Sequence, residues 1–246
     1  MKGRLVRRSD VTEGEREAML RLLDAHFEGV TRAAFERDLG EKNWVLLLAD
    51  DDDEGRLRGF STLLLYETRC AGETLTVIYS GDTLVEREAW GSAALARCWI
   101  GSIRALRRLH PRGRLYWLLL TSGFRTYRFL PVFWREFHPR LDAAMPPDEA
   151  ARLACLASER FGSRYRPEAG IVCLDTPQVL RGDLAQIPSA RRADAHVAFF
   201  LERNPGWVRG DELVCLTEIA EPNLTPAGRR MWREGERTLA VPADMA

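Results

Sequence analysis

The sequence predicts an α/β fold in which a mixed β-sheet is flanked by helices, and three observations predict it. Apolar runs of strand length alternate with segments whose apolar residues recur at helical spacing. One run, "RLYWLLLTS", is almost wholly apolar, as expected of a central strand covered on both faces. It follows a long strand and a helix, and that order makes a right-handed crossover whose two strands are parallel. The 246 residues, 46% of them hydrophobic, supply one large core. No repeat, low-complexity tract or linker divides the chain, so one domain over residues 1–246 is expected.

"GRLVRR" reads as a short first strand. Asp10 and Thr12 offer caps for a helix whose Met19, Leu22, Leu23 and Phe27 recur at helical spacing. A second helix covers Thr31 to Leu39 and ends at Gly40. "NWVLLLAD" and "RLRGFSTLLLYETR" are strands. The acidic "DDDDEG" between them reads as a solvated hairpin turn, because the bidentate Glu that closes a calcium-binding loop is missing. "ETLTVIYSGDTLVERE" is a long strand, and its central glycine, Gly81, predicts a bulge or a close backbone approach.

The stretch "VEREAWGSAALARCWI" then leads through a small-residue turn into an amphipathic helix. Leu95, Cys98, Trp99, Ile103 and Leu106 form its apolar face, and His110, Pro111 and Gly113 end it. After the central strand, "FRTYRFLPVFWREFHPR" is aromatic and basic, a helix interrupted near Pro131. "PPDEAARLACLASERF" is a helix with Pro147 near its first position and acidic residues in its first turn. Residues 162–192 are weakly patterned. "AHVAFFLERNPGWVRGDELVCLTEI" predicts two closing strands joined by a Pro/Gly loop.

Thirty-six basic residues balance thirty-six acidic ones, which gives no electrostatic case for nucleic acid or an anionic membrane as a partner. The five cysteines are odd in number and far apart, and read as reduced thiols, mostly buried, in a reducing compartment. The four histidines are scattered without a zinc pattern, so no metal is expected. The N-terminus lacks an apolar signal-like run and no stretch approaches transmembrane length, so a cytoplasmic location is expected.

The turn "EAWGSAA" carries the functional question. Gly91, Ser92, Ala93 and Ala94 have almost no side chain, so an anion could approach the free amides of a helix N-terminus. No Gly-Lys-Ser/Thr follows, and a single glycine is not a dinucleotide fingerprint. The alternative is a glycine that simply starts a helix packed close to its strand.

The order of elements around this turn resembles the GNAT superfamily of acyl-CoA-dependent N-acyltransferases. That family carries Gln/Arg-x-x-Gly-x-Gly/Ala at this place, and here Glu88, Gly91 and Ala93 fall on the motif. Glycine and alanine match; Glu88 departs from the pattern, and Arg87 beside it could supply the missing positive charge. The likeness covers roughly Leu5 to Leu130, and the closing strands more loosely.

The resemblance implies a centrally splayed sheet, with an extended helical insertion before the C-terminal strand pair. It implies acetyl-CoA or another acyl-CoA as co-substrate, with its pyrophosphate on the amides of Arg87, Glu88, Ala89, Trp90, Gly91, Ser92 and Ala93. The pantetheine would pair with the backbone of Leu84, Val85 and Glu86. It implies Tyr127 as the acid that protonates the departing thiolate, the alternative being a core aromatic beside Phe124, Phe129 and Phe133. Asp82 or Glu86 would be the base, each of which reads otherwise as a solvated charge, with His138 a weaker candidate. Arg125 and Arg128 are further candidates for contacts with phosphates of coenzyme A or with an anionic acceptor, the alternative being that their tract is a satellite core. The acceptor would be an amine, on a small molecule or a protein, and a homodimer is left open. A fold that keeps the acyl-CoA site but has lost turnover, serving as a regulatory or adaptor protein, is the alternative.

Overall fold

The computed structural model describes residues 1–52, 55–70 and 72–245, so the Asp53–Glu54 part of the predicted acidic turn lies outside the described residues. The chain opens with β1 (Lys2–Arg7). Next comes α1 (Glu13–His26), where Thr12 accepts from the Glu15 amide and Glu15 reaches back to the Thr12 amide. A two-residue strand β2 (Phe27–Glu28) leads to α2 (Arg32–Gly40), capped by Thr31. Strands β3 (Trp44–Ala49), β4 (Leu57–Cys70) and β5 (Glu73–Val85) then form an antiparallel meander.

The crossover helix is α3 (Ala94–Leu109), and it returns to β6 (Leu115–Thr121), parallel to β5. Two short helices follow, α4 (Phe124–Tyr127) and α5 (Phe129–Phe133), parted at Arg128. Helix α6 (Pro147–Phe161) starts with Pro147 at its head, as its sequence predicts. The weakly patterned tract holds β7 (Tyr165–Arg166), β8 (Ile171–Val172) and β9 (Val179–Leu180). The chain closes with α7 (Ala195–Arg203), β10 (Glu212–Glu218), α8 (Pro226–Thr238) and β11 (Leu239–Ala240).

The sheet order is β11-β1-β3-β4-β5-β6-β10-β8-β7, with a separate β2-β9 pair. All its neighbours run antiparallel except β1 with β11 and β5 with β6. One face packs against α3, α5, α7 and α8 in a core that holds Trp99, Trp117 and Trp134. The other carries α6 over Val77, Tyr79, Leu118 and Val214, and α1 with α2 over Val45, Leu47 and Phe60.

The predicted strand pair at the C-terminus is corrected in one half: Ala195–Arg203 is helix α7, N-capped by Asp194 through the His196 and Val197 amides. The strand reading missed that the apolar residues of "HVAFFL" include Val197 and Phe200, three apart and both buried. Helix α8 has no counterpart in the sequence reading. It crosses α3 so closely that a Cβ on Gly101 would lie 2.9 Å from Gly235 Cα, which is why both positions need glycine. The cysteine reading is corrected too. Cys70 at the end of β4 and Cys155 in α6 form a disulfide, while Cys98, Cys173 and Cys215 are free thiols. Their 85-residue separation hid the pairing, because only the docking of α6 on the sheet brings them together.

Among the described residues no helix is long and apolar enough to cross a membrane.

Candidate active site

The site arises from a fault in the central sheet. Strand β5 pairs with β6 from Thr76 to Ser80, opposite Leu115 to Leu119, and no pair follows. The cause lies on the other edge of β5. Between the pairs Ser61–Thr83 and Leu63–Ser80, β4 has only Thr62 where β5 has both Gly81 and Asp82. That extra residue is a bulge, which bends its strand and increases its twist. Gly81 fits the expectation of a close approach as well, because a Cβ there would sit 2.6 Å from Lys42 Cε and 2.7 Å from Thr62 Oγ1. The end of β5 therefore swings away from β6, as the splayed sheet requires. Below the fork, the Nε1 atoms of Trp99 and Trp117 donate to Ser61 Oγ and Ser80 Oγ, 3.2 and 2.9 Å away.

A cleft of about 1410 Å³ occupies the fork and runs on beneath the 176–192 segment. Its two ends present different groups. At one end, β5 passes through the turn into α3. Val85 O accepts from Trp90 Nε1, and the Ala94 amide donates to Ser92 Oγ. The amides of Gly91, Ala93, Leu95 and Ala96 have no acceptor among the described residues, which makes this helix start a set of free donors. Nothing lies within 4 Å of a Cβ placed on Gly91, so the space in front of it is open.

Arg87, Arg125, Arg191 and Arg192 line the same end. Arg125 lies over the Trp90 ring, 4.2 Å from its centroid, and Arg87 lies 5.9 Å from it. Burial, then the charges of Arg87 and Arg191, push the Arg125 pKa down from its usual value. Glu88 is exposed and outside the cleft lining, so the departure from the family motif does not put its carboxylate into the cleft. Arg128 is ion-paired with Asp194 at 2.8 Å.

The backbone expectation for β5 is refined by one residue. The Glu86 amide donates across to Arg58 O on the β4 side, at 2.8 Å. Strand alternation then turns the amides of Thr83 and Val85, rather than those of Leu84 and Glu86, towards the cleft. Residues Ala89, Trp90, Gly91 and Ser92 line the cleft, while Ala93 caps α3 beside it.

The other end gathers carboxylates among basic side chains, with Arg37, Arg160 and Arg164 also in its lining. Asp82 of β5, Asp38 of α2 and Glu212 at the start of β10 all line it, and Lys42 donates to Asp38 Oδ1 at 2.7 Å with its side chain fully buried. Burial, and then the Asp38 charge, raise the Asp82 pKa to about 7 against the pull of Lys42. Burial, and then the charges of Asp82 and Asp38, raise Glu212 to about 8. A carboxylate held near neutrality is suited to take a proton and return it. Among the described residues no group of three or more His, Cys, Asp and Glu side chains is disposed to hold a metal ion.

Three predicted site residues stand elsewhere. Glu86 is outside the cleft lining, in ion pairs with Arg56 at 2.7 Å and Arg58 at 3.1 Å. Tyr127 is fully buried and faces the rings of Phe137, Phe199 and Phe200, and its hydroxyl donates to Pro139 O at 3.1 Å. It does not line the cleft, and burial pushes its pKa up. The expected acid is thus a core aromatic with its proton committed to a carbonyl. His138 is also buried away from the cleft, in a backbone bridge to Leu216, and burial lowers its pKa. Asp82 alone, of the predicted acid–base residues, lines the cleft.

No protein-family model matches this sequence, and no curated protein is significantly similar to it. Among solved structures it is similar to the GNAT family N-acetyltransferase YhbS of Escherichia coli in complex with CoA. That alignment has 16% identity and a TM-score of 0.39, over 52% of this chain and 68% of that one. A Mycobacterium tuberculosis protein in complex with CoA aligns at 11% identity and a TM-score of 0.41, over 88% and 99%. A probable N-acyltransferase of Enterococcus faecalis aligns at 15% and 0.39 over 56% of this chain, which spans only 33% of that protein's length. The functional reading therefore rests on this chain's own geometry.

Proposed function

We propose that this protein is a divergent GNAT-superfamily enzyme, acting as one domain, that transfers an acetyl or longer acyl group from coenzyme A to an amine. The observation that carries the reading is the fork of β5 and β6 after Ser80 and Leu119, with the open start of α3 at its mouth. The donors there suit a pyrophosphate: the unpaired amides of Gly91, Ala93, Leu95 and Ala96, with Arg87, Arg125 and Arg191 around them. The free edge of β5 at Thr83 and Val85 suits the amides of a pantetheine arm.

Bound acyl-CoA would supply a thioester, whose carbonyl is open to attack by a neutral amine. An alkylamine with a pKa of roughly 10 is protonated near neutrality, and its deprotonation costs about 4 kcal/mol at pH 7. Asp82 sits in the cleft with its pKa raised, and accepts that proton better than an ordinary carboxylate does. The Trp99 and Trp117 rings line the fork. Direct attack needs no covalent enzyme intermediate.

The test is calorimetric titration with acetyl-CoA and longer acyl-CoAs, followed by a free-thiol assay against a panel of amines. Saturable binding with thiol release dependent on an amine is expected. No binding of any acyl-CoA to folded protein would discard the reading.

A further inference from the structure

Helix α8 buries one face and bares another of a single charge sign. Gly228, Met231, Trp232 and Gly235 are buried, and Gly235 lies at the close crossing with Gly101 of α3. Arg229, Arg230, Arg233 and Arg237 are exposed. At 3.6 residues per turn these four fall within about 100° of the helix surface, opposite the buried face. No acidic residue falls between them, and Glu234 and Glu236 flank the arc on either side. Among the described residues none of the four side chains has a hydrogen bond, an ion pair or a ring contact. The arginines of the neighbouring helix are held instead. Glu236 pairs with both Arg104 and Arg108 of α3, and Arg104 lies over the Trp232 ring, 5.8 Å from its centroid. One flanking carboxylate is therefore taken by α3.

The arc works against its own helix. Arg229 with Arg233, and Arg233 with Arg237, are like charges four residues apart, which repel on a helix surface. The first turn of α8 carries no acidic residue to offset the positive end of the helix dipole, and Arg229 and Arg230 come directly after it. The core gains nothing from these side chains, since they are exposed. The chain as a whole has equal numbers of acidic and basic residues, so four unpaired guanidiniums on one face are a local feature and not an overall excess. Such a face is complementary to a partner with several negative charges.

The surroundings narrow the partner. The exposed large apolar residues are Trp90, Leu109, Val132, Leu141 and Val208, none of them in α8. The arc thus offers no ring to stack a nucleic-acid base and no apolar anchor for a bilayer. It is also short, about 12 Å from Arg229 to Arg237 at 1.5 Å per residue. Phosphates of a nucleic acid that ran on across its borders would meet Glu234 or Glu236. Carboxylates on a second helix fit better. Acidic residues four apart stand about 6 Å apart along their axis, the same rise that separates Arg229, Arg233 and Arg237. Planar guanidiniums take carboxylates in bidentate pairs.

We propose that the outer face of α8 docks an acidic helical segment of a partner protein. Glu or Asp side chains four residues apart on that segment face Arg229, Arg233 and Arg237, with Arg230 beside them. No residue of α8 lines the cleft, so this surface does not depend on the acyltransferase reading.

The test is fluorescence anisotropy on the full chain. The probe is a fluorescein-labelled peptide of four Glu-Ala-Ala-Ala repeats. The comparisons are the same peptide with Lys for Glu, the same peptide broken by a central proline, and a twelve-nucleotide oligo(dT). The glutamate peptide should bind saturably at about 50 mM NaCl and lose about tenfold in affinity at about 300 mM, as screening requires. The other three probes should bind more weakly. Arg233→Glu/Arg237→Glu should weaken the glutamate peptide by about tenfold or more, leave the melting temperature unchanged, and create binding of the lysine peptide. If that variant does not fold, Arg233→Ala/Arg237→Ala carries the same loss without the reversal. No binding of the glutamate peptide to the wild-type chain overturns the proposal, as does unchanged affinity in a folded variant. Oligo(dT) bound as tightly as the glutamate peptide would give the face to nucleic acid, and equal binding of the proline-broken peptide would rule out a helical partner. Either result overturns the proposal as well.

Discussion

The two ends of the cleft carry different groups, arginines around a helix start at one and a carboxylate cluster at the other, and they are assembled in opposite ways. The arginine end is built around one continuous stretch, from Val85 through Gly91 to Ala96, with Arg87 inside it and Arg125 and Arg191 brought alongside. The carboxylate end takes Asp38 from α2, Asp82 from a bulge and Glu212 from a strand near the C-terminus. Local backbone geometry makes the first, because a helix start presents its free amides wherever it occurs. Tertiary packing makes the second, because three carboxylates become a proton-holding group only when they are brought together and desolvated.

The largest effect expected from breaking this contrast is on turnover. Asp82→Asn keeps the shape of the bulge and removes the proton acceptor, so turnover should fall by roughly 10²–10⁴-fold. Acyl-CoA affinity should stay within a factor of two or so, since the substitution leaves the arginine end intact. Steady-state kinetics together with calorimetry check both halves. A loss of affinity equal to the loss of rate would mean that the two ends are not separate.

The second effect is on stability against pH. Asp82 and Glu212 have folded-state pKa values raised to about 7 and about 8, against ordinary values of 3.8 and 4.5. Below those ordinary values both groups are protonated whether the chain is folded or not, and the stabilisation is fully present. From there to about pH 8 the folded chain binds more protons than the unfolded one, so stability falls as pH rises. Each group contributes at most about 1.4 kcal/mol per pH unit to that slope. Urea unfolding at pH 5 and pH 8 should show a smaller drop for the Asp82→Asn/Glu212→Gln double variant than for the wild type. Equal drops would mean that the carboxylates titrate normally.

The same contrast explains how much of the molecule could be read from its sequence. The first half was legible: a cap at Thr12, the strands of the meander, the crossover and a bulge or close approach at Gly81 all follow from local spacing and side-chain chemistry. The turn at Gly91 was legible as a candidate, because small residues after a long strand are a local signal. Glu212 gave no such signal, since an acidic residue before an apolar run is usually a solvated strand end. Helix α8 carries a local signal at its start, where Thr225 followed by Pro226 is a regular helix opening. The Cys70–Cys155 bond escaped because no sequence spacing encodes the docking of α6 on β4.

A smaller effect belongs to the arginine end. Gly91→Glu puts a carboxylate and its bulk into the open space in front of the α3 amides. Acyl-CoA binding should weaken at least tenfold, about 1.4 kcal/mol. Turnover at saturating acyl-CoA should stay close to that of the wild type, because the carboxylate end is untouched. Calorimetry and a thiol-release assay separate the two quantities, and unchanged affinity in a folded variant would move the anion site off this turn.

The smallest effect tests the residue that the family resemblance put forward and the structure withdrew. Tyr127 lies in neither end of the cleft, and its hydroxyl donates to Pro139 O inside a shell of phenylalanine rings. Tyr127→Phe keeps the ring and removes one buried donor, leaving the carbonyl of Pro139 short of a partner. A neutral hydrogen bond of this kind is worth about 1 kcal/mol, with the unpaired carbonyl able to raise the loss somewhat. The stability loss should therefore be about 1–2 kcal/mol in urea unfolding, with turnover unchanged. A catalytic acid would behave the other way round, with stability nearly intact and turnover down by roughly 10²–10⁴-fold. If the rate collapses in a well-folded Tyr127→Phe variant, the hydroxyl must leave Pro139 and reach the cleft when substrate binds, and the core would have to open to let it.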